Sequence, residues 1–265
     1  MGANGGGSSY DVDAQAFITA ASITNTTQKS AINTLVLNLK TNSIWSKFKA
    51  IYPFVGGTAA QHRFNLKDPR AVAGAFYLDF VNGWTHSSNG CLPNGTDGYA
   101  NTNFKPIDNG LSTASAHISY YARTGSTTSD GAEIGYYNST SITGFTLQGK
   151  SSTLEHRYFY DFFKKATRTV ASAPTGLTMG SSVSSIRRDL YLNGSTVANS
   201  TSTDLSTLNN WNLYIGGANV DNTSVGSYSN SQLAMVTIGS GLTSAEASTF
   251  YTAVQAYQTS LGRQV

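Results

Sequence analysis

Asp189-Leu190-Tyr191-Leu192-Asn193-Gly194-Ser195-Thr196-Val197 is the stretch on which the reading of this chain turns. Asn-Gly supplies two adjacent residues that tolerate positive φ, the requirement of a type I′ turn, so Tyr191-Leu192 and Thr196-Val197 read as the paired arms of a β-hairpin. Downstream, Leu213-Tyr214-Ile215-Gly216-Gly217 and Leu233-Ala234-Met235-Val236-Thr237-Ile238 have the short apolar runs of further strands. The chain then changes period. Thr243-Ser244-Ala245-Glu246 is a capping box, and Phe250, Val254, Tyr257 and Leu261 give the stripe of a closing helix over 243–262.

Upstream of the hairpin the same alternation recurs at 50–55, 75–81, 117–122, 132–137, 144–148, 157–163, 176–179 and 187–192, separated by Gly, Asn and Ser turns. Before residue 50 the period is 3.6. Asp13 is a candidate N-cap for a helix with Ala14, Phe17, Ile18 and Ala21 on one face. Thr26 or Thr27 starts a second, with Ile32, Leu35, Val36 and Leu39 at i, i+3, i+4 and i+7. The fold class is therefore mostly β, a sandwich of short strands with short N-terminal helices and a C-terminal helix. The expected organisation is a flexible Gly-rich arm at 1–10, a helical attachment segment at 11–49 and the sandwich at 50–265.

Of the 265 residues, 12% are charged, against about 25% in ordinary soluble domains, so the surface is built from hydroxyls and amides instead of ions. The net charge of +3 has no basic face behind it, only the pairs Lys164-Lys165 and Arg187-Arg188, and nucleic acid is not an expected partner. Cys91 is the only cysteine, so no intrachain disulfide forms, and a reducing compartment is expected. The first residues lack the basic and apolar regions of a secretory signal, and no run of 18 apolar residues predicts a membrane span. Asn-x-Ser/Thr sequences such as those at 25, 94, 138 and 199 are then incidental to an Asn/Ser/Thr-rich composition.

The order of hairpin, "Tyr-Ile-Gly-Gly" strand and closing "Ala-Met-Val-Thr-Ile" strand resembles the end of a laminin-G-like or concanavalin A-like jelly roll. That resemblance implies a binding scaffold without naming a ligand. In the N-terminal half, 43–57, 62–70 and 83–102 resemble a module of tailed-phage structural proteins, in which a short helical segment precedes a lectin-like jelly roll. The resemblance implies a virion protein assembled in a bacterial cytoplasm, as capsid decoration, head fibre or tail fibre. Its implied partners are other virion proteins, sister chains in a homo-oligomer expected to be a trimer, and a host surface glycan. An architectural cementing protein and a polysaccharide depolymerase are the alternatives.

Catalysis finds little support. A retaining glycosidase needs two carboxylates about 5 to 5.5 Å apart, which the jelly-roll hydrolases place two residues apart on one strand. Neither Glu133, Glu155 nor Glu246 has an acidic partner at that spacing. His62, His86, His117 and His156 lack metal-ligand spacing, and no Gly-x-Ser-x-Gly elbow occurs. No cofactor is required: the loops of Asp97 and Asp221 suit Ca²⁺, but turn formation accounts for both residues first. Aromatic side chains remain as candidate ring-stacking groups: Trp84, His86 and Tyr99 around a long loop at 83–99, Tyr158 and Tyr160 on one face of a strand, and Trp211.

Overall fold

The computed structural model describes residues 10–161, 164–202 and 208–265, with the backbone alone at 159–161. The arm at 1–9 and the strand expected at 162–163 lie outside the described residues. The hairpin forms as its turn chemistry dictates. Strand β12 (Arg187–Leu192) turns into β13 (Ser195–Thr201) through Asn193 and Gly194 at φ 49° and 76°, with Leu192 opposite Ser195 and Tyr191 opposite Thr196.

From that hairpin the first sheet continues through β11 (Gly176–Ser184), β6 (Ala116–Thr124), β17 (Gln232–Gly239), β4 (Gly90–Pro93) and β3 (Trp84–Ser87). Strand β1 (Phe48–Tyr52) pairs with the C-terminal part of β17, beyond the point where β4 joins it. The second sheet runs β10 (Ala166–Thr169), β9 (Glu155–Asp161), β8 (Thr143–Lys150), β7 (Gly131–Asn138), β14 (Tyr214–Ile215), β5 (Tyr99–Asn101) and β2 (Asp79–Val81). Strand β15 (Ala218–Val220) lies parallel to β7 and antiparallel to β16 (Ser224–Gly226). The two sheets close on Ile118, Tyr120, Leu190, Val236 and Ile238 from the first and Ile134, Tyr136, Phe145, Leu147, Tyr158 and Ile215 from the second.

Helices α1 (Val12–Ala20), α2 (Thr26–Thr41) and α4 (Ser244–Ser260) form a third layer. Their buried faces, including Phe17, Ile32, Leu35, Leu39, Phe250, Val254 and Tyr257, share a second core with Phe48, Ile51, Tyr121, Leu177, Met179, Tyr191 and Met235 of the first sheet. Alternation explains the arrangement: Tyr120 points between the sheets, and its neighbour Tyr121 points under the helices. The segment 11–49 is thus an integral part of the core. A short helix, α3 (Ala59–His62), lies between β1 and β2.

Local differences from the expected boundaries have local causes. Asp11 caps α1, accepting from the Asp13 amide, while Lys40 closes on the carboxylates of Asp11 and Asp13 at 2.6 Å each. Asn25 caps α2 by accepting from Gln28 N. The run at 50–55 leaves the sheet at Tyr52 because Pro53 has no N–H to donate and Phe54 sits at φ 42°. The run at 75–81 pairs only from Asp79, since Phe76 is left-handed. The expected loop at 83–99 is largely the hairpin β3–β4, whose register sets Trp84 opposite Pro93 and His86 opposite Cys91. The capping box of α4 is present in full.

Buried polar groups pin these layers together. Arg263, 1% exposed, donates to Gln258 Oε1 and to the carbonyls of Pro53, Phe54, Ser88 and Ala234, so its charge is met by oxygens without a carboxylate. His62 Nδ1 and His86 Nδ1 lie 3.0 Å apart, one donating to the other, with His62 buried against Phe54. Burial, with help from His86 and Arg263, pushes His62 down to about 3. Burial likewise takes His117 to about 4, opposed by its bond to Ser240 O, and His156, beside Arg168, to about 3. The Cys91 thiol is fully buried and pushed well up by that burial.

Two outcomes follow. Leu35→Ala, in the middle of α2, is expected to cost about 2–5 kcal/mol in urea unfolding, and an unchanged midpoint would show that the helix layer is not part of the cooperative core. The depressed histidines stay neutral in the folded chain but take up protons near pH 6.5 when it unfolds, so their contribution is complete above pH 6.5 and is lost as pH falls towards 4. Glu133, raised to about 7 by burial, acts in the opposite sense between pH 7 and 4.5 but is one group against three. Between pH 6.5 and 5 the melting temperature is expected to fall by roughly 10 °C; a flat or rising profile in calorimetry would contradict the burial of these histidines.

Candidate functional site

The helix-side core draws only on first-sheet strands, so no described helix covers the outer face of the second sheet, which is open at its β14–β5–β2 end and buried over β7–β9, where Thr146, Gln148 and Arg157 stand. Register decides what stands on that face. Ile134, Ala100 and Ile215 are paired across β7, β5 and β14 and point inward. Their neighbours Gly135, Asn101 and Tyr214 therefore point outward in one row, which Asp79 of β2 extends. Gly135, at φ 154°, is required there: a Cβ would lie 2.7 Å from both Phe145 O and Thr146 Oγ1 of β8.

The rings gather beside this row. Tyr99, two residues before Asn101 on β5, stacks on Tyr214 with centroids 4.9 Å apart and planes at 28°. Tyr228 arrives from the loop after β16. Burial, then the nearby Tyr99 and Asp97, raise its hydroxyl above the usual range. Burial, then Tyr99, do the same for Tyr214. All three rings are part-exposed, and Tyr137 of β7 is part-exposed on the same side. Asn103 donates from Nδ2 to Asp79 Oδ2 at 2.9 Å, and Asn94 donates from Nδ2 to Asp97 Oδ1 at 2.7 Å. The result is a shallow face of stacked phenols bordered by amides and two exposed carboxylates. It suits a flat, hydroxyl-rich ligand better than a reacting one.

Of the residues singled out from sequence, Tyr99 stands on this face. Trp84 and His86 form its border. Trp84 is part-exposed, meets Phe80 edge-on at 5.0 Å, packs on Pro93 and Gly216, and donates from Nε1 to Tyr99 O at 3.0 Å. It therefore fastens an edge strand of the first sheet to the second and fixes the backbone beneath Tyr99. His86 meets Phe80 at 4.6 Å, and its bond to His62 holds it turned from the tyrosines. Burial, with Arg63 nearby, lowers its basicity.

One other expectation needs correction. Tyr158 is fully buried between the sheets, stacked edge-on with Phe145, and cannot meet a ligand. The side chain of Tyr160 lies outside the described ones. Trp211, half-buried, packs on Tyr136 at 5.8 Å at the margin of the core between the sheets. Asp97 belongs to a turn in which Asn94 Oδ1 accepts from the amides of Thr96, Asp97 and Gly98. Asp221 accepts from Ser139 through both its amide and its hydroxyl, which lowers its pKa. Among the described residues no three His, Cys, Asp or Glu side chains group as a metal site.

Sequence reading missed Tyr214 and Tyr228. The first was available: between Leu213 and Ile215, which both point inward, Tyr214 has to point out. Glu133 is enclosed, accepting from Gly149 N and from the hydroxyls of Ser229 and Ser231, while Asp130 is engaged by Arg157 at 2.7 Å. The closest acidic pair in the sequence of this region thus does not face a common cleft. No described helix is long and apolar enough to cross a membrane.

No family model matches the chain, and no curated protein matches it. Solved structures do. Domain 4 of AbnA, a GH43 extracellular arabinanase from Geobacillus stearothermophilus, solved in complex with arabinotriose, superposes with a TM-score of 0.51 at 12% identity, over 77% of this chain and 98% of that one. The botulinum neurotoxin serotype G binding domain superposes with a TM-score of 0.50 at 11% identity, over 78% of this chain and 51% of that one. At these identities the likeness is one of fold alone: a two-sheet jelly-roll sandwich.

Proposed function

We propose that this chain is a non-catalytic, lectin-like glycan-binding domain whose ligand lies on the outer face of the second sheet. The observation that supports the reading is the stacked pair Tyr99–Tyr214 with Tyr228 beside it, part-exposed on the sheet face that no described helix covers. A phenol ring offers an apolar surface to the C–H face of a sugar and holds its position at small entropic cost. Asn101, Asn103 and the two carboxylates supply directional partners for hydroxyls. The structural neighbour solved with arabinotriose supports the same ligand chemistry. The enclosure of Glu133 favours binding over hydrolysis.

Display of this domain on a tailed-phage virion, among sister chains and other particle proteins, belongs to the proposal on the strength of the sequence resemblance at 43–57, 62–70 and 83–102. The phenol face needs no ion to present its rings, so the proposal requires no Ca²⁺.

Tyr99→Ala and Tyr214→Ala, tested on a glycan array with the full chain, are expected to weaken the wild-type signal at least about tenfold, a loss of about 1.4 kcal/mol, with the melting temperature within a few degrees of wild type. Undiminished binding by both variants would remove the tyrosine face from the account.

A further inference from the structure

We infer that the tyrosine face selects uncharged saccharides and rejects acidic ones. The inference rests on the glycan reading above and adds a ligand class to it. Its basis is the charge that borders the rings. Asp79 stands in the outward row with Asn101 and Tyr214, and Asp97 lies close enough to Tyr228 to raise its hydroxyl. Both carboxylates belong to exposed residues. Their side-chain partners are the neutral amides of Asn103 and Asn94, and among the described residues neither is ion-paired.

A cation farther along this side of the sheet does not offset them. Arg157 lies on β9, three strands from β14, and its guanidinium donates to Asp130, Gln148 and Glu155. Two negative charges thus border the rings, and Arg63, which lies over Tyr77 and near His86, makes no ion pair with either. A saccharide hydroxyl donates to such a carboxylate and gains a charge-assisted hydrogen bond. A uronate or sialate carboxylate in the same place meets like charge, and both carboxylates must lose water to approach. Asp79 and Asp97 act as specificity-determining residues by this double effect.

The test titrates the full chain calorimetrically with arabinotriose, maltotriose and cellotriose as neutral probes, and with trigalacturonate and 3′-sialyllactose as acidic ones. At least one neutral probe is expected to bind, with both acidic probes at least about tenfold weaker, and the gap is expected to narrow at high salt. The double variant Asp79→Asn/Asp97→Asn keeps an oxygen acceptor for Asn103 and Asn94, so its melting temperature should match wild type. It is expected to weaken neutral binding, through loss of the charge-assisted hydrogen bonds, and to relieve the repulsion of acidic probes, so that the gap closes from both sides. An acidic probe that binds wild type as tightly as the neutral ones, or a gap unchanged in the double variant, would overturn the inference and leave glycan binding standing. Failure of every probe to bind would overturn the glycan reading and this inference with it.

Discussion

The sheet that contains β6 and β17 is buried on both sides, and the position of every other part answers to that. One face of these strands closes on the second sheet through Tyr120, Val236 and Ile238, and the other closes on α2 and α4 through Tyr121 and Met235. A sheet covered twice cannot present a broad surface to a ligand. The second sheet can, at its β14–β5–β2 end, where Tyr214, Asn101 and Asp79 reach solvent. Its outward row holds polar and phenolic groups where the first sheet places its second apolar set, which is the arrangement alternation demands of a half-solvated antiparallel sheet.

The border between the sheets is held by directional bonds where apolar packing runs out. Trp84 reaches from β3 to the carbonyl of Tyr99, and Arg263 gathers carbonyls from the segment after β1, the β3–β4 turn and β17. His62 and His86 tie α3 to the same hairpin. These bonds are costly to lose because each buried polar atom would be left without a partner. The bond from Trp84 also fixes the carbonyl of Tyr99, the ring on which Tyr214 stacks.

What the sequence disclosed was the part fixed by short-range chemistry. Asn193-Gly194 admits one kind of turn, and Thr243 with Glu246 admits one kind of helix start; both appear as read. Boundaries set by competing local choices were less legible. Asp11 and Asp13 are equivalent as caps until Lys40 closes on both, and 50–55 looks like one strand until Pro53 and Phe54 turn the chain aside. Alternation separated the two faces of 157–161 but did not say which was inside, so Tyr158 was read as a surface ring although it fills the core. Trp84 was conspicuous as an aromatic among Gly and Asn, but its function as an inter-sheet fastening needed the partner carbonyl of Tyr99, which sequence spacing does not reveal. The open face itself became visible only once the helices had been placed on the other sheet.

The central claim is that ligand meets the outer face of the second sheet. The most direct measurement is an amide and aromatic chemical-shift map of the full chain, titrated with a saccharide that binds it. The account predicts that perturbations concentrate on Tyr99, Asn101, Tyr214 and Tyr228 and spread weakly to Trp84 through its bond to Tyr99. Perturbations centred on α2 and α4, with the tyrosine rings unmoved, would contradict it.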